Sequence, residues 1–528
     1  MAELVDAPDS KSGAFGRSGS TPDIPTKNSN MEIKNNKLRV QKLKYLEPTD
    51  VIKKFETFTN QILLDSAGEF SKDNRYTYLA VDPLCIYKLK KNKLYENDKL
   101  IKISKKRFLN NLINKTKHNK RKYLPDFQCG LAGYITYDTC LNIEKIKQIS
   151  KKDDSAFDSI FGLYDFVFAF DLKLKKSYLF SLNLDHLKLN KNESSHTNRR
   201  NKLLSIYKVP YISATRSIEH KDSWKPEITK QNYIKNIKKI ISYINQGDIF
   251  QANYTHKFFS NNKRNLTSLE IYLNYRDKTA TPFSAFLNFD DFTVCSYSPE
   301  RLIKLQDDEI TTSPIKGTIK RGNNEQQDRD LKCYLQNSKK NLAENLMIVD
   351  VLRNDISRVS KRGSVKVTEL AKIKSYKNVH HLVSTIKSYI KKELNILDLL
   401  LSILPGGSVT GAPKIRAMEI ISELENSKRG VYCGAIGYIS FNGNADFNIP
   451  IRTMTIKDNY LTIGCGGGIV SDSLPYDEYN ESIQKISNII KKKINIRCGA
   501  GTYITRNIRK YCIIISSSYC IIFCYYIL

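Results

Sequence analysis

Between residues 38 and 190 the chain falls into short β-rich runs (ILLDS, YTYLAV, LAGYITY, FVFAFDL, SYLFSL) set between charged loops. This spacing predicts antiparallel sheet with helices on one side. The polar stretch 190–201 reads as an exposed loop. A helix is expected over 230–245, ended by Gln246-Gly247, followed by strands over 250–259, 283–289 and 292–297. From there to about residue 490, helices and strands mix without regular βαβ alternation, which argues for an α+β fold and against a doubly wound nucleotide fold.

At 528 residues, 41% of them apolar, the chain can bury a large core, as two to four conventional domains or one large sheet-rich one. The formal charge of +31 invites a nucleic-acid-binding alternative. The lysines, however, are dispersed and no recognition module accompanies them, so no nucleic-acid partner is expected. A positive field also draws in an acidic small molecule or an acidic partner protein. The eleven cysteines occur singly, without a CxxC pair, and read as reduced thiols of a cytoplasmic protein.

Both ends differ from the middle. Residues 1–30 are Ser/Gly/Pro-rich and lack the apolar core of a signal peptide; they read as a disordered or spurious extension, with Met31 as an alternative start. Residues 498–528 form an atypical hydrophobic tail. Its 511–528 run is long enough to suggest a tail anchor, but the abrupt change in composition reads as a frame error after about residue 497, so no membrane partner is expected.

Three features carry chemistry. Lys316 lies between Pro314 and Gly317 in a loop-like break, which makes its amine a candidate nucleophile. On a helix expected over 339–355, Leu342, Leu346, Val349 and Ile356 are expected to form the packing face, with Asn341 and Glu344 together on another and most of the helix buried. On a helix expected over 476–492, Tyr479, Ile483, Ile486 and Ile490 face the core while Glu478, Glu481 and Lys485 project together. Glutamates from two such helices could hold one hard cation, although a solvated charged face has the same pattern. The glycines at 406–411 and 464–468 lack the rest of any nucleotide motif. What they offer is backbone N–H groups open to close approach by an anion, with Pro413 near a helix start.

Taken in order, GDIFQANYTHKF, SPERL, SPIKGTIKRG, KNLAENLMIVDVLRNDISRV, VHHLVS, PGGSVTGAPKIRAMEII, RGVYCGAIGY, IPIRT and GCGGGIVSDSLPYDEYNES run from residue 247 to 482. Together they resemble the chorismate-utilising enzymes, specifically component I of aminodeoxychorismate synthase and of anthranilate synthase. LLDSAGEF, NRYTYLAVDP and FQCGLAGYITYD extend the resemblance to roughly 38–495. It implies one large α/β sandwich of mostly antiparallel sheets with surrounding helices, built from an amino-terminal subdomain (38–190) folded against a chorismate-binding catalytic domain (225–495).

The resemblance also implies roles. PIKGT resembles the aminodeoxychorismate branch, in which the Lys316 amine attacks ring C2, whereas anthranilate synthases usually carry alanine there. An amine of ordinary pKa about 10.4 is neutral in roughly one molecule in 2,500 at pH 7, so the site must depress it. Glu300 matches the acid that protonates the departing C4 hydroxyl. Glu344 and Glu481 match direct ligands of Mg2+, with Glu478 supporting through water; Asn341 stands where the family more often has an acidic residue, which implies weaker metal affinity. Arg452 and Tyr432 match the clamp on the enolpyruvyl carboxylate, completed by Gly466, Gly467, Gly468 and the Ser408 loop, and His381 matches a histidine on the leaving-group side. Gln251 stands where water-using relatives carry a lysine base; a glutamine cannot deprotonate water, which fits ammonia as the nucleophile. Ser66 falls in a segment resembling a tryptophan pocket.

The expected reaction is chorismate plus ammonia to 4-amino-4-deoxychorismate, on the path to 4-aminobenzoate and folate. Ammonia would come from a glutamine amidotransferase subunit and the product would pass to an aminodeoxychorismate lyase, since neither activity has a signature in this chain. Anthranilate synthase component I is the alternative within the family.

Overall fold

The structure, a computed structural model, describes residues 38–68, 74–147, 157–189, 195–210, 223–262, 266–290, 292–376 and 379–490. The expectations for residues 1–30, Met31 and 498–528 fall outside them. In chain order, the elements that build the site are helix α1 (Lys230–Asn245), strand β1 (Gln251–Asn261), strand β2 (Ile315–Lys320), helix α2 (Lys339–Ser357), strand β3 (Val379–Tyr389), helix α3 (Lys414–Leu424), strand β4 (Tyr460–Ile469) and helix α4 (Pro475–Ile490).

Two antiparallel sheets of twelve strands each carry these elements. In the first, Arg39–Leu43, Lys176–Ser181, Phe166–Asp171, Tyr76–Ala80 and Gln61–Asp65 lie side by side and continue into Phe283–Phe289, Phe292–Ser298, Thr453–Lys457, β4 and β1. The second begins with β2 and β3 at one edge and ends with Cys85–Lys90, Lys93–Glu96 and Lys99–Ile101 at the other. Residues 38–190 and 225–490 therefore contribute strands to both sheets. Ile62, Val167 and Leu287 of the first sheet meet Leu131, Ile160 and Ile303 of the second in one core.

The outer face of the first sheet is covered by helices. On α1, Tyr233, Ile237 and Ile240 are buried, the spacing of one helical stripe. On α4, Tyr479, Ile483, Ile486 and Ile490 are buried as the sequence predicts. Each such side chain contributes about 1.5–3 kcal/mol when removed from water. Thr229 caps α1 by accepting from the Asn232 N–H, and Gly247 supplies a positive φ of 83° just past its end. Among the described residues no helix is long and apolar enough to cross a membrane, and the described cysteines are free thiols.

Three local expectations are corrected. Of the loop expected over 190–201, residues 190–194 lie outside the described residues and the rest instead opens a helix, His196–Lys208, capped by Ser195. It forms because Arg199 is drawn inward to the buried Asp165 at 2.8 Å and to Asp82 at 2.8 Å. On α2 the buried face is Asn345, Ile348, Val349, Leu352, Asp355 and Ile356, while Leu346 is 50% exposed and Leu342 only half-buried. Two polar residues belong to that face because they are paired: Asn345 accepts from Ser384 of β3, and Asp355 holds Lys414 at 2.8 Å. The opposite side, with Asp350 and Arg353, meets solvent, so the helix is not largely buried. Finally, Lys316 lies within a strand and not in a loop.

Candidate active site

β2 is an edge strand paired with β3, and its register slips between Ile315 and Thr318, where Gly317 takes a φ of 83°. A bulge of this kind re-aims a side chain, and here the side chain is Lys316. A Cβ added at Gly317 would sit 3.0 Å from Leu335 and 3.1 Å from Asn341, so the glycine lets the start of α2 close over the strand. The ammonium is turned inward: it lies 3.5 Å from where a Cβ on Gly468 of β4 would be, and Gln251 Nε2 lies 2.3 Å from the same point. The edge of one sheet is thus brought against β1 and β4 of the other across a single cleft.

Burial is the largest influence on Lys316 and pulls its pKa below the ordinary amine value; Glu344 and Glu300 oppose this, Lys485 reinforces it, and Glu481 opposes it more weakly. Carboxylates from α2, from α4 and from Glu300 therefore all act on one amine. Glu300 is 5% exposed, and its carboxyl oxygen accepts a long hydrogen bond of 3.5 Å from the Ile315 N–H. Burial pushes its pKa up to about 7, against the opposing pull of the Ser408 hydroxyl, Lys316 and the Ile315 N–H. A carboxyl in this state keeps its proton near neutrality and can donate it.

Gln251 is fully buried, and among the described residues neither its amide oxygen nor its amide nitrogen has a partner. Buried polar groups are nearly always satisfied, so an orphan amide aimed into a cleft beside a lysine marks a place for a polar ligand. It is held by pairing with Ala412, and Asn253 by a 2.6 Å bond to Thr410, which ties the 405–413 loop and the start of α3 to β1. Beneath this junction lies a buried pair missed in the sequence, Arg429 and Glu425 at 2.8 Å. Arg429 also donates to Val409 O and Asn253 O, while Glu425 accepts from the Thr255 N–H and hydroxyl. Only the i, i+4 spacing of Glu425 and Arg429 signalled it.

The glycines of β4 serve different needs. The neighbouring strand Thr453–Lys457 pairs with β4 only as far as Ile463, so among the described residues Gly464–Ile469 have β1 on one side and no strand on the other. On that open side Gly466 O accepts from Lys485 Nζ at 3.0 Å in place of a strand partner. A Cβ at Gly464 would lie 2.4 Å from the Tyr432 ring, so this glycine makes room for Tyr432. Around Gly467 an added Cβ would lie 3.3 Å from Lys485 Nζ, 3.4 Å from Glu478 Oε2 and 3.9 Å from Glu481 Oε1.

Those distances test the expected Mg2+ site. A cationic nitrogen already stands among hard oxygen donors on α4, with Lys485 and Glu481 paired at 2.9 Å. Lys485 holds the Glu481 carboxyl below the usual range, whereas burial and then Glu481 push Glu478 up; Ser473 donates to Glu478 at 2.6 Å. Among the described residues no three His, Cys, Asp or Glu side chains form a closed cage. Mg2+ bound here would have to take one or two protein carboxylates and complete its shell with water and substrate oxygens.

Arg452 adopts a φ of 52°, an uncommon conformation for a non-glycine residue, and among the described residues no carboxylate lies within ion-pair distance of it. Burial pulls its pKa down, as expected of a guanidinium lacking a counter-charge. His381 is 4% exposed, its Nδ1 is 2.8 Å from the Thr318 hydroxyl, and burial followed by Arg452 lowers its pKa to about 3, so the ring is neutral. Tyr432 joins this side through its neighbour Cys433, whose N–H donates to Pro450 O. Ser66 does not belong to the cleft. Its hydroxyl donates to Tyr76 O at 2.7 Å, and it lines a separate cavity with Tyr78, Asp126, Arg301 and Tyr438.

A family model described as chorismate binding enzyme matches residues 60–491. The chain is 38% identical over 366 residues to aminodeoxychorismate synthase component 1 of Escherichia coli strain K12, covering 69% of this chain and 77% of that protein. It is 33% identical over 460 residues to anthranilate synthase component 1 of Acetivibrio thermocellus, covering 84% and 92%. The crystal structure of anthranilate synthase component I from Streptococcus pneumoniae TIGR4 matches with a TM-score of 0.69 at 31% identity, covering 79% of this chain and 93% of that one. With these likenesses extending along both sheets and through the cleft, the chain belongs to the chorismate binding enzymes.

Proposed function

We propose that the chain is component I of an aminodeoxychorismate synthase, converting chorismate and ammonia to 4-amino-4-deoxychorismate. The observation that carries the reading is Lys316: its amine is turned into the cleft against Gly468 and has depressed basicity, and it is acted on by Glu300, a buried carboxyl pushed up to about 7. Neutral Lys316 forms a C–N bond at C2 while both conjugated ring double bonds shift by one position, toward C6 and C4, and the C4 hydroxyl, protonated by Glu300, leaves as water. Ammonia then attacks C4, both double bonds return, and the C2–N bond to Lys316 breaks. Gln251 has no basic lone pair with which to deprotonate water, so the cleft favours an amine that needs no base.

Arg452, unpaired in the cleft, binds the enolpyruvyl carboxylate with Tyr432 and the open edge of β4, and neutral His381 borders the departing hydroxyl. Glu344 and Glu481 would hold Mg2+, with Glu478 in support; when bound, the ion grips the ring carboxylate and draws electron density from the ring. Ammonia is supplied by an amidotransferase partner, and release of 4-aminobenzoate falls to a separate lyase. The Ser66 cavity, lined by Tyr78, Asp126, Arg301 and Tyr438, is the tryptophan pocket of this reading.

The test incubates purified protein with chorismate, Mg2+ and ammonium. The proposal expects 4-aminobenzoate only after a lyase is added. Anthranilate fluorescence without lyase would assign the chain to the anthranilate branch instead.

A further inference from the structure

We propose that the Lys485 ammonium occupies the divalent cation's own position on α4, and that the ion binds by displacing it; this rests on the reading of Glu481 as a metal ligand. The ammonium is 2.9 Å from Glu481 Oε1 and donates to Gly466 O at 3.0 Å. With Glu478 Oε2 it rings the empty side-chain position of Gly467. Two hard oxygens, Glu481 Oε1 and Gly466 O, thus hold one positive charge, with the Glu478 carboxylate nearby across Gly467, the oxygen donors of a magnesium site with an ammonium among them.

The arrangement is built into the helix. Lys485 follows Glu481 by one turn, so the two meet whenever α4 forms. Ile483 and Ile486, on the opposite stripe, fix the helix against the first sheet. The Lys485 side chain is 41% accessible, and its flexible stem can swing into solvent without disturbing the core. What it leaves behind is a carboxylate and a backbone carbonyl already turned toward the vacated point. Lysine therefore offsets the charge of Glu481 before the ion arrives and competes with it afterwards.

A second lysine supplies the control. Lys340 on α2 also acts on Glu478 and Glu481, but its ion pair is with Asp472 at 3.9 Å, and no hydrogen bond places it between the glutamates. Lys485→Gln and Lys340→Gln remove the same charge from the same neighbourhood, yet only the first empties the seat. The measurement is Mn2+ binding without substrate, followed by loss of the free-ion electron paramagnetic resonance signal, with Glu481→Gln marking the site. Displacement predicts that Lys485→Gln binds Mn2+ about two- to fivefold more tightly than wild type, the scale of an exposed ion pair, and that Lys340→Gln gains clearly less. Equal gains for the two variants, or none for Lys485→Gln, would overturn the seat while leaving the metal reading intact. Binding that Glu481→Gln leaves unchanged, or that no variant shows, would remove the metal reading and the displacement with it.

Discussion

The proposed reaction needs Glu300 and Lys316 in opposite states, one protonated and the other neutral, and burial moves both the right way. Glu300 is held up to about 7, so its proton stays on through the usual carboxylate range and leaves as pH rises through that value. Lys316 is pulled below the ordinary amine range, so its neutral fraction grows as pH rises toward that value. The expected kcat profile is a bell whose basic limb belongs to Glu300. Glu300→Gln, which keeps the shape but carries no transferable proton, is expected to lower kcat by about 100-fold or more and to abolish that limb. Both residues were legible in the sequence through SPE and PIKGT. The Lys485 pairing with Glu481 and the Arg429–Glu425 pair were not, because i, i+4 charges on a helix read equally well as a solvated face until the neighbouring strand is known.

At the level of single elements, β4 shows how one glycine run serves both stability and chemistry. A Cβ at Gly466 would lie 2.1 Å from Tyr254 O, inside the β1–β4 pairing, where the neighbour is backbone and cannot yield cheaply. Gly466→Ala is expected to destabilise the fold by roughly 1–3 kcal/mol in urea unfolding. A Cβ at Gly468 meets instead the flexible end of Gln251 and the approach of Lys316. Gly468→Ala should therefore leave the unfolding midpoint nearly unchanged while kcat/KM falls by up to about 100-fold, the cost of a misplacement near 1 Å. Periodicity located α1, α4 and the strands near 250, 283 and 292 within a residue or two. It misjudged α2 because hydrophobicity alone cannot show that Asn345 and Asp355 are buried with partners from β3 and α3.

Across the whole molecule, the amino-terminal strands are part of the sheets that hold the cleft. Gln61–Asp65 pairs with Phe283–Phe289, and Gly130–Ile135 pairs with Ala435–Ser440. A fragment spanning 225–490 would expose two long unpaired strand edges, so it is expected to aggregate and to show no cooperative unfolding by circular dichroism. Asp65 joins the two parts further: buried, it accepts from Arg276 and from the Tyr272 hydroxyl at 2.8 Å. Asp65→Ala leaves that arginine with only the exposed Asp277 at 3.3 Å and should cost about 3–5 kcal/mol of stability. Strand faces could be read from the sequence but strand neighbours could not, since period-2 alternation says which side is inward and nothing about which distant strand lies beside it.

The central claim is that Lys316 is the nucleophile of this cleft. The most direct measurement quenches protein mixed with chorismate and Mg2+ in the absence of ammonia and maps the digest by mass spectrometry. The account predicts a dehydrated chorismate adduct on the peptide carrying Lys316, absent from Lys316→Ala. An unmodified Lys316, together with a Lys316→Ala protein that aminates chorismate at the wild-type rate, would contradict it.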